Sequence, residues 1–404
     1  MRQWDRGIRS ERGPFDPHLF FEFIDMKYLA RFLFLMMAFT SIIAQAQTLE
    51  QSFDAYVNSD YAVAFRGFKK WADQGNVGAQ KMLGLMYELG QGVPKDDRQA
   101  ARLYKKSADI GDASGQTSLG LMYEWGRGVT RDINQAVMWY RKAAEQGDAR
   151  AQQYLGTIYY FGRSVPQDEQ KAALWYRKAA EQGNPTAQSN LGLMYQHGIG
   201  VTKDDQEAVN WYLKAAEQGL ATAQLNLGEM YSEGRGLTKD DQQAALWYRR
   251  AAEQGDDDAQ FNLGYSYFNG KGVARDQRLA FEWYKKSADQ GNPLAQFEVG
   301  ALYANGIGVV KDFQQAVLWY RKAAEQGNPG GQLNLGNAYS VGQGVPKDEQ
   351  QAYFWWLLAA AGGDDVPGVS IARRERDRIE SGLTSEQRAS AQAAARNWKP
   401  KTAE

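Results

Sequence analysis

Apolar residues along this chain recur at spacings of three and four, and that rhythm itself returns every 36 residues. Within 113–148, Leu119, Met122 and Tyr123 fall on one face of a helix, and Ala136, Trp139, Tyr140, Ala143 and Ala144 fall on one face of a second. Between them Gly126 and Gly128 break the helical period. The dipeptide Trp-Tyr reappears at 175, 211, 247, 283 and 319, each time closed by a glycine, at 183, 219, 255, 291 and 327. A period of roughly 20–50 residues marks an array of supersecondary units, none of which can bury its apolar face without a neighbour. The pattern therefore predicts an all-α chain of two-helix hairpins. Eight units occupy 77–112, 113–148, 149–184, 185–220, 221–256, 257–292, 293–328 and 329–364, after a degenerate unit over 47–76 and before a polar helical cap over 365–404. Helices are expected over 48–58 and 60–73 in the degenerate unit, and over 369–380 and 384–398 in the cap.

The recurring residues have mechanical duties. Asp at 96, 132, 168, 204, 240, 276, 312 and 348 stands where the second helix of each unit begins, as an N-cap carboxylate would. Gln99, Gln135, Gln243, Gln315 and Gln351, three residues later, complete the spacing of a capping box, as does Gln387 after Thr384. Gly75 and its copies follow the second helix and suit its left-handed end. Gly84, Gly120, Gly156, Gly192, Gly228, Gly264, Gly300 and Gly336 are different, because they lie inside the first helix, where glycine costs about 1 kcal/mol relative to alanine. Their regularity predicts a helix approaching too closely for a Cβ, with the recurring alanine of the second helix as the expected neighbour. Each Trp offers about 150–250 Å² for burial, worth at most roughly 4–6 kcal/mol, which outweighs the glycine cost if the close approach covers the ring.

Composition narrows the chemistry. The chain contains no Cys and two His, and its formal net charge is −1. No thiol nucleophile, thiolate metal site or disulfide framework is available. No basic face suggests nucleic acid as a partner. His197, at the entry to a loop, reads as a solvated turn residue. Asp256-Asp257-Asp258 reads as an N-cap and turn, the alternative being weak Ca²⁺ binding, for which the spaced ligands are missing. Gly126-x-Gly128 and its copies follow no strand and precede no Lys-Ser/Thr, so they are turns rather than phosphate loops. No metal, cofactor or catalytic residue is expected.

The N-terminus reads as a targeting signal. Met26 to Arg31 is a short basic region, Phe32 to Ile43 an apolar run too short to cross a bilayer of about 30 Å, and Ala44-Gln45-Ala46 a small-x-small cleavage site. Residues 1–25, with five carboxylates, read as a misassigned leader ahead of a start at Met26, the alternative being an extended n-region. Cleavage after Ala46 would leave a periplasmic or secreted chain without stable membrane insertion, and a monomer is expected.

The unit Ala-Gln-x-x-Leu-Gly-x-x-Tyr-x-x-Gly-x-Gly-Val-x-x-Asp-x-x-x-Ala-x-x-Trp-Tyr-x-x-Ala-Ala-x-Gln-Gly, over 77–364, resembles the Sel1-like repeat, a relative of the tetratricopeptide repeat. That resemblance implies an α/α right-handed superhelical solenoid whose first helices line a concave surface. It also implies a non-enzymatic role in binding a protein or peptide, as exported bacterial members usually have. Two variants of that role come with the resemblance: a secreted host-interaction factor of the immunoglobulin-binding type, and a weak hydrolase of β-lactams or cell-wall fragments. The second belongs to a cysteine-rich type, from which this chain departs. Candidate contacts are sought at the equivalents of 81, 82, 85, 88 and 89, expected to point away from the helix pair. Most are small or polar, such as Ser189, Asn190, Asn226 and Ser232. Rings stand out at Tyr154, Tyr160 and Phe161, and at Tyr265 and Phe268, the partner-binding candidates. Phe261 and Phe297 share a register with Leu225 and Leu333, and either face a partner or pack between adjacent repeats.

Overall fold

A computed structural model describes residues 49–362 and 368–401; the expected leader at 1–25 and signal at 26–46 lie outside the described residues. All regular structure among the described residues is helical. By internal contacts the chain divides into two compact units, the first ending at Lys142 and the second beginning at Ala143. The first holds α1 (49–57), α2 (Tyr61–Asp73), α3 (Val77–Leu89), α4 (Asp97–Asp109), α5 (Ala113–Trp125) and most of α6 (Ile133–Glu145). The second continues with α7 (Ala149–Phe161), α8 (Glu169–Glu181), α9 (Pro185–His197), α10 (Asp205–Glu217), α11 (Ala221–Glu233) and α12 (Asp241–Glu253). It then runs through α13 (Asp257–Asn269), α14 (Gln277–Asp289), α15 (Pro293–Asn305), α16 (Phe313–Glu325), α17 (Pro329–Val341) and α18 (Glu349–Ala359) to α19 (Val369–Glu380) and α20 (Ser385–Asn397). From α3 to α18 the odd-numbered helix is the first of each repeat and the even-numbered the second. From α2 to α5 and from α7 to α19 each helix packs on the next, and α20 returns to α18, giving an α/α solenoid of hairpins.

The contact at the centre of each hairpin adds an aromatic ring to the expected close approach of the second helix. A Cβ built on Gly192 would lie 2.8 Å from both Cδ1 and Cε1 of Tyr212, and Gly84, Gly120, Gly156, Gly228, Gly264 and Gly300 meet Tyr104, Tyr140, Tyr176, Tyr248, Tyr284 and Tyr320 in the same way. At Gly336 the ring is that of Trp356. The expected alanine is there as well, through its backbone: the carbonyl oxygens of Ala208, Ala244 and Ala316 would lie 3.2, 3.3 and 3.2 Å from a Cβ on Gly192, Gly228 and Gly300, while the later alanines of the second helix turn the other way. Ala215 and Ala216 pack with Ala223, Leu227 and Met230 of the next first helix, and a Cβ on Gly331 would sit 2.8 Å from the Cβ of Ala323. The tyrosine reaches back to its own hairpin and the alanines let the next one close.

Trp139, Trp247 and Trp319 are buried between repeats, whereas Trp175, Trp211 and Trp283 keep partly exposed rims. Each carries a cation three residues on, from Lys142 at 4.5 Å to Lys286 at 3.8 Å from the ring centre. A cation over an indole face is attracted by the ring quadrupole, so these side chains cover the exposed edge with a group that can also face water.

The aspartates cap as expected. Asp204 accepts from the N–H groups of Gln206 and Glu207, both at 3.0 Å. The glutamines at 99, 135, 243, 315 and 351 do not close a capping box, and the reason is specific. The cap's own N–H is already donated to the carbonyl of a first-helix tyrosine: Asp240 to Tyr231 and Asp312 to Tyr303, both at 3.0 Å, and likewise in the other repeats. That bond ties the start of one helix to the end of its partner and leaves a reciprocal glutamine nothing to accept. The box does form at Thr384, whose N–H reaches Gln387 at 2.9 Å while its hydroxyl accepts from the Gln387 N–H at 3.1 Å.

A buried glutamine joins successive repeats. Gln188 donates to the carbonyl of Ala180 in the preceding second helix at 3.1 Å and accepts from Gln218 at the end of its own second helix at 2.8 Å. Gln152, Gln224, Gln260 and Gln296 repeat the arrangement with Gln182, Gln254, Gln290 and Gln326. In the first unit Gln80 donates to Ala72, but its Oε1 is buried without a partner, because the position filled elsewhere by glutamine is Ile110, 63% exposed.

Two substitutions test these contacts by urea unfolding. Gly192→Ala should destabilise by about 1 kcal/mol, since overpacking costs roughly 1–3 kcal/mol against a helix-propensity gain of about 1 kcal/mol; a stabilised variant would show that the tyrosine yields freely. Ile110→Gln should stabilise the first unit by about 1 kcal/mol by satisfying Gln80, and an unchanged midpoint would mean that Oε1 already reaches water.

Candidate functional site

The five aromatic candidates separate by burial. On α7, Phe161 is 58% exposed, meets Tyr160 edge-on at 5.0 Å between ring centres, and has the Arg163 guanidinium 4.9 Å from its own. Tyr160 is half-buried against the cluster of Tyr176, Leu191 and Met194, and Tyr154 is half-buried. On α13, Tyr265 is 43% exposed with the Lys271 ammonium 5.0 Å over its ring. Phe268, seven residues from Phe261 and three from Tyr265, is half-buried against Tyr284, Val299 and Leu302. Phe261 and Phe297 lie against Tyr284 and Tyr320 of their own second helices at 5.4 and 6.2 Å, and both are half-buried, Phe261 also against the cluster of Ala295 and Val299 and Phe297 also beside Gly330 of the next repeat.

The equivalents of position 88, expected to point away from the hairpin, instead turn toward its buried tyrosine. Tyr104 donates to Glu88 at 2.8 Å, Tyr140 to Glu124 at 2.7 Å and Tyr212 to Gln196 at 2.6 Å. In the repeat whose equivalent residue is Tyr160, Tyr176 pairs instead with Thr157, in the column of position 85, at 2.9 Å, and Ser232 borders the same cavity as Tyr248. A phenol buried by the glycine contact needs a partner, and the first helix supplies one. In the next two repeats the equivalent residues are Phe268 and Ala304, which have no polar side-chain atom. Tyr284, 1% exposed, and Tyr320, 7% exposed, accordingly make no hydrogen bond to a described residue, although neither hydroxyl oxygen is sealed from solvent.

A carboxylate on α15 bears electrostatically on both phenols. Glu298, on α15, is half-buried, and burial pushes its pKa up. Burial raises Tyr284 strongly, with further contributions from Glu298 and Tyr265. Tyr320 is pushed up to about 12 by burial and then by Glu298. Glu298 forms no hydrogen bond or ion pair among the described residues. Two repeats earlier, Glu229 on α11 borders a cavity of about 190 Å³ with Glu233, Asp241, Tyr248, Tyr265 and Lys271. Its pKa is raised by burial first and then by Glu233 and Asp258.

Neither Glu229 nor Glu298 was singled out from the sequence, although the repeat grid contains the signal. In the column of Glu229 the other units carry Leu85, Leu121, Thr157, Leu193, Tyr265, Ala301 and Asn337. In that of Glu298 they carry Met82, Ser118, Tyr154, Asn190, Asn226, Asn262 and Asn334. Each is the one acid in a neutral column.

The other candidates have local roles. Asp256 caps α13 through the Ala259 N–H at 2.9 Å, and Asn292 donates to Asp257 at 3.2 Å and Asp258 at 2.9 Å. His197 is the exposed last residue of α9. Among the described residues no group of three or more His, Asp or Glu is arranged to hold a metal ion, and no helix is long and apolar enough to cross a membrane.

Comparison with known proteins agrees with this architecture. The Sel1 repeat model matches eight successive segments, 77–112, 113–148, 149–184, 185–220, 221–256, 257–292, 293–328 and 329–364. Among curated proteins nothing matches. Among solved structures, a Sel1 repeat protein from Oxalobacter formigenes is 35% identical over 78% of this chain and 90% of its own, with a TM-score of 0.57. A protective antigen of uropathogenic Escherichia coli with an SLR fold is 33% identical over 89% of this chain and 92% of its own, with a TM-score of 0.48. Sel1 repeat proteins are generally protein-interaction scaffolds. With the 36-residue grid, the all-helical hairpins and eight matched repeats in agreement, this chain belongs to the Sel1 repeat family.

Proposed function

We propose that the chain is an exported, non-enzymatic scaffold that receives a protein or peptide on a concave face lined by its first helices. The observation that carries this reading is the exposure of rings on first helices: Phe161 and Tyr265 reach solvent, each under a cation, while the interior of every repeat is committed to packing. Aromatic side chains present large contact area at small conformational cost, which makes them effective anchors for a partner. Chemistry also varies along the first helices of the second unit, from the rings of α7 to the carboxylates of α11 and α15. A surface that differs from repeat to repeat suits an extended polypeptide better than a small ligand. Export rests on the basic, apolar and small-residue succession from Met26 to Ala46.

The full chain with a C-terminal tag, produced in a Gram-negative host, should be recovered from the periplasm or medium with Gln47 as its first residue. Recovery from the cytoplasm alone, uncleaved, would remove the export reading. Partners cross-linked to the exported chain should be captured about tenfold less by Phe161→Ala with Tyr265→Ala, a loss of ~1.4 kcal/mol. Leu246→Ala, at an exposed position on α12, should leave capture unchanged. Equal capture by the aromatic double variant and wild type would sink the assignment of this face.

A further inference from the structure

We propose that the groove of about 650 Å³ among α15, α16, α17 and α19 receives an acidic, aliphatic segment of the bound polypeptide, its aliphatic side chains against Phe313, Val341 and Ile371 and a carboxylate against Lys311. The inference rests on the scaffold reading and names the chemistry of one stretch of the partner. Its first support is a break in the repeat grid. Lys95, Lys203, Lys239 and Lys347 each stand 2.7–3.9 Å from a carboxylate two residues on, at Asp97, Asp205, Asp241 and Glu349. At Lys311 the residue two on is Phe313, so the ammonium lies 4.6 Å over a ring and has no carboxylate partner among the described residues. The exchange that frees the cation also makes the wall beside it apolar. The second support is shape. Ala304 stands where Glu88, Glu124 and Gln196 reach the tyrosine of their own hairpins, and it is too short to do so. The space over Tyr320 is thus left open to the groove, and Val341, 68% exposed, and Ile371, 42% exposed, extend its apolar surface. The third support is the wall formed by α19, where Arg378 lines the groove and shares the carboxylate of Glu375 with Arg374, at 2.8 and 3.3 Å. Two cations on one carboxylate leave that wall positive as well. An apolar floor draws aliphatic side chains from water, and an uncompensated ammonium at its edge favours a carboxylate over an amide or a second cation. α19 packs on α17 and α18 as α17 packs on α15 and α16, so the groove lies along the row of first-helix positions that the scaffold reading gives to the partner.

The test uses the full chain and the fluorescein-labelled peptide Gly-Ser-Gly-Leu-Glu-Leu-Glu-Gly-Ser-Gly-amide, read by fluorescence polarisation. Comparison peptides replace both Glu by Gln, both Glu by Lys or both Leu by Ser, and a fourth, Gly-Ser-Gly-Ser-Gly-Leu, carries a carboxylate at its C-terminus alone. The Leu-Glu peptide should bind about tenfold more tightly than each of the four. Phe313→Asp makes a residue the fold already carries at Asp97, Asp205 and Asp241, and it should weaken the Leu-Glu peptide about tenfold by giving Lys311 an internal partner. Lys311→Gln should weaken it about fivefold and flatten its salt dependence. Equal binding of the Leu-Glu and Leu-Gln peptides, or of the Leu-Glu peptide to wild type and Phe313→Asp, would overturn the site, as would no saturable binding up to about 1 mM. Equal binding of the peptide with only a C-terminal carboxylate would overturn the assignment to an internal acidic segment.

Methyl signals locate the peptide independently of affinity. With ¹³C-labelled Ile, Leu and Val methyls, the Leu-Glu peptide should shift Val341 and Ile371 and leave Leu174, an exposed residue of α8, unmoved. Shifts at Leu174 with none at Val341 and Ile371 would place the peptide elsewhere and overturn the proposal. A partner captured equally by wild type and Phe313→Asp, but lost on changing Phe161 and Tyr265, would refute this groove and leave the scaffold standing.

Discussion

The close contact between a mid-helix glycine and the ring of a tyrosine 20 residues later is the constraint from which the rest of each hairpin follows. It lets two helices approach until an aromatic ring lies on bare backbone, burying a large side chain at a point where even a methyl would collide. Gly156 and Tyr176, or Gly300 and Tyr320, show how narrow the allowance is, with a Cβ placed 2.6–2.8 Å from the nearest ring carbons. Burial of the ring carries its hydroxyl inward as well, which creates a demand for a hydrogen-bond partner on the first helix. One steric choice thus dictates a polar one.

Registration between hairpins comes from different groups. The buried glutamine spans from its own repeat to the carbonyl of the preceding one, and the Asp cap is held by the carbonyl of a first-helix tyrosine. These bonds are directional and largely shielded from water, so a slip of one residue would strand several polar atoms at once. Apolar contacts such as Ala215 and Ala216 against Leu227 supply most of the driving force but tolerate small displacements. Packing gives the solenoid its stability, and the glutamine and aspartate bonds give it a definite register.

Much of this was legible in the sequence because a period of 36 exposes every structural column many times over. Helix ends, Asp caps and the left-handed glycines are local features and could be read residue by residue. At Gly192 the approach of Ala208 could be read, but not that the ring of Tyr212 lies closer still, since spacing along the chain does not say which side chain turns inward. The capping-box expectation failed for a similar reason: Gln243 has the right spacing, but the N–H it would accept from is already engaged by Tyr231, a contact outside the helix. Among the site candidates, exposure distinguished Tyr265 from Phe268, three residues apart, because the next first helix covers one and not the other.

A repeat protein also makes departures from its own pattern interpretable. Where Phe268 and Ala304 replace a polar residue, Tyr284 and Tyr320 lack the first-helix partner that Tyr104, Tyr140 and Tyr212 have, and their hydroxyls turn to solvent instead. Glu298, the one acid in its column, carries a burial cost that raises its pKa and makes no compensating hydrogen bond or ion pair among the described residues. Neither departure improves the packing of the hairpin, so the columns that specify the fold and the positions that break them answer to different demands.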